Sequence, residues 1–230
     1  MSGRKTRGAF IVIEGLDRSG KSTQVALLEE RLKGEGIPVR VMKFPDRTTP
    51  IGKMIDSYLR SETEMDDRAI HLLFSANRWE LSKSITDALD AGETVVCDRY
   101  AFSGIAFSAA KNKPGMSFEW CRAPDVALPA PDLTLFLAVT PEAQRARGGF
   151  GEERYEKADM QERVEHVFER IGVEMGDGSR WIAVDADGGK EEVAQELWRL
   201  VQPLAKGTDR PLARLWADLD ERVRNSHLYI

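Results

Sequence analysis

Cysteine is nearly absent: Cys97 and Cys121 are the only two in 230 residues. Two cysteines make neither a disulfide framework nor a zinc-ligand spacing, so a reducing compartment is expected, the cytoplasm by default, with a nuclear or organellar pool left open. Long hydrophobic runs are missing too. The longest, such as Leu133 to Val139, are strand-sized and fall well short of the roughly 18 residues that span a bilayer. The opening MSGRKTRG is basic but lacks the apolar core of a secretory signal. Nor is there an excess of positive charge. Lys and Arg number 33 against 38 Asp and Glu, a net charge of −5, which argues against coating nucleic acid by bulk charge. Any anionic ligand has to be held by a few placed cations. No repeat, low-complexity tract or linker divides the chain before about residue 205. One domain over residues 1–205 is therefore expected, followed by an extension, 206–230, that is short helix or disordered tail.

Five short apolar runs are present: Phe10 to Ile13, Val39 to Met42, Thr94 to Cys97, Leu133 to Val139 and Trp181 to Val184. Runs rich in β-branched residues and apolar on both faces suit strands buried in a parallel sheet. Helical spacing lies between them. Val25, Leu28 and Leu32 recur at that period until Gly34 and Gly36; Leu73, Leu81, Ile85 and Leu89 belong to a longer stretch ending at Gly92; Val164, Val167, Phe168 and Ile171 form a third, closed by Gly172. The alternation predicts an α/β fold in three layers, a parallel sheet with helices on both faces. In such folds the ligand crevice lies at the carboxyl ends of the strands.

Directly after the first run comes Glu14-Gly15-Leu16-Asp17-Arg18-Ser19-Gly20-Lys21-Ser22-Thr23. This is G-x-x-x-x-G-K-S between a strand and a helix, the phosphate-binding P-loop. Backbone N–H groups of Gly15 to Thr23 converge on phosphate oxygens, Lys21 adds a point charge, and the Ser22 hydroxyl can ligate Mg²⁺. The bland alternative is a glycine-bearing turn. A chance match in a chain of this length is on the order of one in a hundred, and the strand–helix context lowers that further. The third run ends in Asp98, as expected of a carboxylate that helps to hold the metal. Alone, an aspartate there is more often a helix cap; the P-loop makes the metal reading the better one.

Three more features narrow the class. Phe44-Pro45-Asp46-Arg47 follows the second run, so Arg47 is aimed over the same crevice with a guanidinium suited to a phosphate; a solvated loop arginine is the plainer alternative. Cis is the minority outcome for an isolated X-Pro bond such as Phe44-Pro45. Phe74 and Arg78 are four apart in a predicted helix and share a face. Ring and guanidinium could stack on a base and read its edge, at about equal odds with a core Phe beside a surface Arg. Arg145 to Glu156, with three glycines and three arginines, reads as a mobile lid over about residues 145–157 that excludes water from a phosphoryl transfer.

Taken together, EGLDRSGKST, FPDRTTPIGK, HLLFSANRWE, DRYAFSGIAF, WCRAPDVALPAPDLTLFL, GGFGEERYE and PLARLW resemble the eukaryotic-type thymidylate kinases, from about Arg7 to Leu215. The resemblance implies a five-stranded parallel sheet, a homodimer, and ATP- and Mg²⁺-dependent phosphorylation of dTMP to dTDP, with weaker use of dUMP. It implies that Lys21 and Ser22 serve the ATP phosphates and the metal, with Asp98. It likewise implies that Asp17 hydrogen-bonds the 3′-hydroxyl of dTMP and that Arg47 and Arg99 grip its phosphate. By the same resemblance Phe74 would stack on thymine, Arg78 would read its edge, Phe44 would help to wall the pocket, Tyr155 would crowd the sugar where a ribonucleotide carries its 2′-hydroxyl, and Gln161 matches a further substrate-side position. Arg147 matches the family's lid arginine that packs against adenine. Arg18, inside the P-loop, meets the transferred phosphoryl group, as in the eukaryotic type.

The residues between Asp185 and Gly189, after the fifth run, are expected near adenine without an assigned contact. A deoxynucleoside kinase would need a carboxylate base by an uncharged 5′-hydroxyl and would not use both Arg47 and Arg99; a P-loop binding module or switch would need no acceptor pocket. No nucleic-acid or membrane partner is expected.

Overall fold

The computed structural model describes residues 6–147, 154–155, 158–176 and 180–217. All five apolar runs are strands: β1 (Phe10–Gly15), β2 (Val39–Lys43), β3 (Thr94–Asp98), β4 (Leu133–Ala138) and β5 (Trp181–Asp185). They form one parallel sheet in the order β2-β3-β1-β4-β5. The helices among the described residues are α1 (Lys21–Gly34), α2 (Pro50–Leu59), α3 (Asp67–Asp90), α4 (Ala101–Ala109), α5 (Phe118–Arg122), α6 (Pro141–Ala146), α7 (Ala158–Met175) and α8 (Lys190–Val201).

Side chains alternate across β1 with the period of two that a strand imposes. Ile11 and Ile13 pack with Val25, Leu28 and Leu32 of α1 and with Val193, Leu197 and Val201 of α8. Phe10 and Val12 face the other way, toward Ile85 and Leu89 of α3, Phe102 and Ile105 of α4, and Phe168 and Ile171 of α7. The central strands are buried on both faces, as their composition predicts. The outer two are not: β2 and β5 are half-exposed, because each lies at an edge of the sheet. On β2, Arg40 stands in solvent and pairs with Glu93 at 2.9 Å.

Gly172 does not end its helix; α7 continues to Met175. The glycine serves contact instead, since a Cβ there would come within 3.0 Å of Nε1 of Trp181 on β5. After α8 the chain packs back on the body. Arg7 and Thr208 exchange backbone hydrogen bonds at 3.0 and 2.9 Å, Arg7 grips Asp132 bidentately at 2.7 and 2.8 Å, and Leu215 is buried. The expectation of a helix or tail beyond falls largely on residues 218–230, which lie outside the described residues.

With β1 at the centre, the carboxyl ends of β1, β3 and β2 deliver the P-loop, the Asp98-Arg99 pair and the Phe44–Arg47 loop to one crevice.

Candidate active site

Gly15 leaves β1 at φ +150°, where an added Cβ would meet Ser19 Oγ at 2.6 Å and Leu137 O at 2.9 Å. Only glycine fits this start of the loop. Gly20, at φ 91°, turns the chain into α1, which begins at Lys21. The amino end of α1 therefore points its unpaired N–H groups into the crevice, a ready anion site. Lys21 is buried, with Nζ donating to Leu16 O and to Ser19 Oγ. Burial, then the charge of Arg99, pulls its pKa down to about 7 against the pull of Asp17, Asp98 and Glu14. A polyphosphate seated here would reverse that balance and hold the lysine charged.

A cavity of about 410 Å³ opens at this point. Its wall takes in Asp17, Arg18, Gly20, Lys21, Ser22, Thr23, Phe44, Arg47, Phe74, Arg78, Asp98, Arg99 and Tyr155, so most of the residues singled out in the sequence converge on it. Gly15 and Ser19 belong to the loop behind the wall. Gln161 and Arg147 are not part of the wall but are bonded to the P-loop.

Ser22 Oγ donates to Asp98 Oδ2 at 2.6 Å. Burial pushes the Asp98 carboxyl up, but the Ser22 hydrogen bond with Lys43, Arg99 and Lys21 outweighs it and keeps the pKa below its usual value. Lys43, at the end of β2, stands 3.3 Å from both Asp98 Oδ2 and Ser22 Oγ. Among the described residues no group of three or more His, Cys, Asp or Glu side chains could hold a metal by itself. One hydroxyl and one ionised carboxylate suit Mg²⁺, which keeps its waters and takes much of its shell from substrate phosphates.

Two further cations border the cavity, Arg99 and Arg47. Arg99 has a left-handed backbone, φ 68°, and its guanidinium bonds Gly15 O at 3.1 Å, Ser103 Oγ at 3.0 Å and the Asp17 carboxylate. Arg47 pairs with Asp56 at 2.8 Å while remaining partly exposed to the cavity. Asn77 of α3 fixes its loop: Nδ2 donates to Asp46 O at 3.2 Å and Oδ1 accepts from Asp46 N at 2.8 Å. The Phe44-Pro45 bond is cis, the outcome that sequence statistics alone put second.

Asp17 is held from several directions. Beyond Arg99, Gln161 Nε2 donates to Oδ2 at 2.8 Å, Gln161 Oε1 accepts from the Asp17 N–H at 3.2 Å, and Gln144 Nε2 donates to the Asp17 carbonyl at 2.7 Å.

Phe74 and Arg78 share one face of α3, as their spacing requires. The arginine is no surface residue: its side chain is 3% exposed and paired with a fully buried Asp125 at 2.6 Å. Tyr155 contacts Tyr58 of α2 through their hydroxyls at 3.3 Å. Its neighbour Arg154 lies 4.2 Å over the Tyr58 ring and bonds Glu64 at 2.8 and 2.9 Å. Arg147 donates to Arg18 O at 3.1 Å and to Ala186 O, which joins the end of α6 to the P-loop and to the segment after β5. Most of the expected lid, residues 148–153 and 156–157, lies outside the described residues.

Four functional candidates escaped the sequence reading: Glu14, Lys43, Asp125 and Gln144. Glu14 is fully buried and accepts from Tyr100 N at 2.8 Å, Ser103 N at 3.1 Å and Ser103 Oγ at 2.5 Å. It could have been found, because a carboxylate closing an apolar strand needs partners. The other three carry no local signal.

A family model described as thymidylate kinase matches residues 13–197. The chain is 51% identical over 199 residues to the thymidylate kinase of Schizosaccharomyces pombe, covering 86% of this chain and 93% of that protein. It is 45% identical over 212 residues to the human thymidylate kinase, covering 91% and 98%. A solved structure of thymidylate kinase from Candida albicans superposes with a TM-score of 0.83 at 39% identity, covering 91% of this chain and 99% of that one.

Proposed function

The chain belongs to the thymidylate kinase family, and we propose that it transfers the γ-phosphoryl group of ATP to the 5′-phosphate of dTMP, with Mg²⁺, giving dTDP and ADP. One observation carries this reading: a single cavity joins the P-loop and the Ser22–Asp98 pair to two arginines, Arg47 and Arg99, and to the Phe74/Arg78 face.

Glycine-shaped backbone from Gly15 to Thr23 and the amino end of α1 seat the ATP phosphates, with Lys21 charged against them. Ser22 and Asp98 would hold Mg²⁺, which would supply positive charge against the phosphate oxygens. Arg47 and Arg99 grip the dTMP phosphate and damp its repulsion by the incoming γ-phosphate. An oxygen of that phosphate bonds to the γ-phosphorus while the bond from phosphorus to the β–γ bridging oxygen breaks, and ADP departs. Because the attacking phosphate is already ionised near pH 7, no side chain need act as base. Arg18 meets the charge on the phosphoryl group in flight. Asp17 and Gln161 lie at the sugar, Tyr155 crowds its 2′ side, Phe74 stacks on thymine with Phe44 beside it, and Arg78 bonds the base edge. Arg147, bonded to Ala186 O, packs at adenine. dUMP, lacking only the thymine methyl, reacts more weakly; one methyl discriminates by about 10- to 200-fold.

The enzyme works as a homodimer, a reading that the exposed Leu72 and Trp79, seven residues apart on α3, support; light scattering of the purified protein tests it. Among the described residues no helix is long and apolar enough to cross a membrane, and the cytoplasm is the proposed compartment. ADP formation from Mg·ATP with dTMP, dUMP, dGMP and thymidine tests the reaction. Turnover on dTMP is expected; turnover on thymidine but not dTMP would make it a nucleoside kinase, and none with any acceptor a switch.

A further inference from the structure

Arg78 reaches the cavity as a buried cation, and a buried guanidinium needs a partner. Asp125 provides one from the short 3₁₀ turn Ala123–Asp125 that follows α5. Its Oδ1 accepts from Nε at 3.0 Å and its Oδ2 from Nη2 at 2.6 Å. The carboxylate is itself fixed. Ser75 Oγ, one turn earlier on α3, donates to Asp125 Oδ1 at 2.8 Å and to Pro124 O at 3.1 Å, and Trp79 Nε1 donates to the same carbonyl at 2.7 Å.

A guanidinium carries five N–H donors in a rigid plane. Asp125 engages the Nε–H and one Nη2–H, which leaves both Nη1 hydrogens and one on Nη2. The site makes room for that end: a Cβ on Gly104 of α4 would lie 2.7 Å from Nη2, 2.8 Å from Nη1 and 3.0 Å from Cζ. Asp125 thus fixes the plane of the guanidinium from one side, and the missing side chain of Gly104 lets it lie flat against α4 on the other.

We infer that Asp125 is a positioning residue for base selectivity: it locks Arg78 so that a donor-only edge faces the acceptor base. Such an edge pairs with a pyrimidine that carries an oxygen at C4, as thymine and uracil do. It opposes one with an amino group there, as cytosine has, because two donors would meet and a buried N–H would go unmade. The inference rests on the dTMP-kinase reading above, with Arg78 at the base.

The test compares wild type and Asp125→Asn with dTMP and dCMP as acceptors, together with the inhibition constant of dCMP against dTMP. Asparagine keeps the size and one oxygen but turns an amide donor toward Nη2. The expected result is a KM for dTMP raised at least about tenfold with kcat within about threefold, an unchanged KM for ATP, and a dTMP-over-dCMP preference in kcat/KM reduced at least about tenfold. A variant that only melts earlier and keeps its KM and its preference would overturn the inference. If Asp125→Asn does not fold, Gly104→Ala decides. Its methyl would crowd Nη2 and Nη1 and push the guanidinium out of the plane that Asp125 sets, with the Asp125 carboxylate itself unchanged, and alanine is the better helix former by about 1 kcal/mol. It is expected to lose the same preference, and an unchanged preference overturns the inference as well. Wild type inactive on dTMP would instead sink the underlying reaction; wild type selective for dTMP with both variants equally selective sinks the role of Asp125 alone.

Discussion

Ser22 and Asp98, 76 residues apart in the chain, are joined by a hydrogen bond of 2.6 Å. A strand end and a helix start thus meet at one point, and a metal held there has both a neutral and an anionic oxygen. We expect Asp98→Asn to lower kcat by roughly 100-fold or more and to shift the Mg²⁺ dependence of ADP formation to higher concentration. Equal Mg²⁺ dependence in variant and wild type would remove Asp98 from the metal site.

Arg18 lines the cavity from within the P-loop, and in the proposed reaction it meets the transferred group. A charge that acts only in the transition state alters turnover and leaves ground-state binding alone. Arg18→Ala should therefore lose about 10³-fold in kcat while the KM for dTMP stays within about threefold. A large KM effect with near-normal kcat, read in the same steady-state assay, would contradict the assignment.

Burial, partly offset by Arg99 and by the Ser103 and Tyr100 hydrogen bonds, pushes the Glu14 carboxyl above its usual range. Its three bonds tie the end of β1 to the start of α4, so replacing it should loosen both. Glu14→Gln puts an amide donor against groups that donate, and a loss of about 1–3 kcal/mol in unfolding free energy is expected from urea titration. No loss would mean that the carboxylate is dispensable to the fold.

His71 of α3 is wholly buried, with Nδ1 2.8 Å from Ser108 Oγ and its ring against Trp120. Burial, then the positive charge of Arg78, lowers its pKa from 6.5 to about 4. The unfolded chain takes up this proton first, so stability falls as pH drops from about 6.5 toward 4 and is fully present above that window. The span corresponds to about 3 kcal/mol. Urea midpoints at pH 7 and pH 5 should differ clearly in wild type and less in His71→Gln; equal pH slopes would rule His71 out as the cause.

The strands and the P-loop are legible in the sequence because each rests on neighbours in the chain: apolar runs set the sheet, and glycine spacing sets the loop. What depends on distant partners is not. Nothing around Gly172 announces that Trp181 packs against it, so a glycine after a helical pattern reads as a stop. Arg78 looks as much like a surface arginine as a buried one until Asp125 is brought beside it from 47 positions away. Lys43 and Gln144 are ordinary polar residues in sequence and become part of the site only through the strand order and the return of α6. Edge exposure of β2 and β5 likewise follows from strand order, which composition does not encode.

Asp17 is bonded through its carbonyl to Gln144 of α6 and through its N–H and carboxylate to Gln161 of α7. These helices flank residues 147–157 in the chain, and the same aspartate is bonded to Arg99, one of the two arginines proposed to grip the acceptor phosphate. In the proposed reaction, donor loop and acceptor grip are thus joined through Asp17. A displacement of α6 or α7 on binding of one nucleotide would therefore bear on the seat of the other. By reciprocity each nucleotide then alters the affinity of its partner by the same factor, so that the order in which the two arrive changes the path and leaves the energy of the ternary complex untouched.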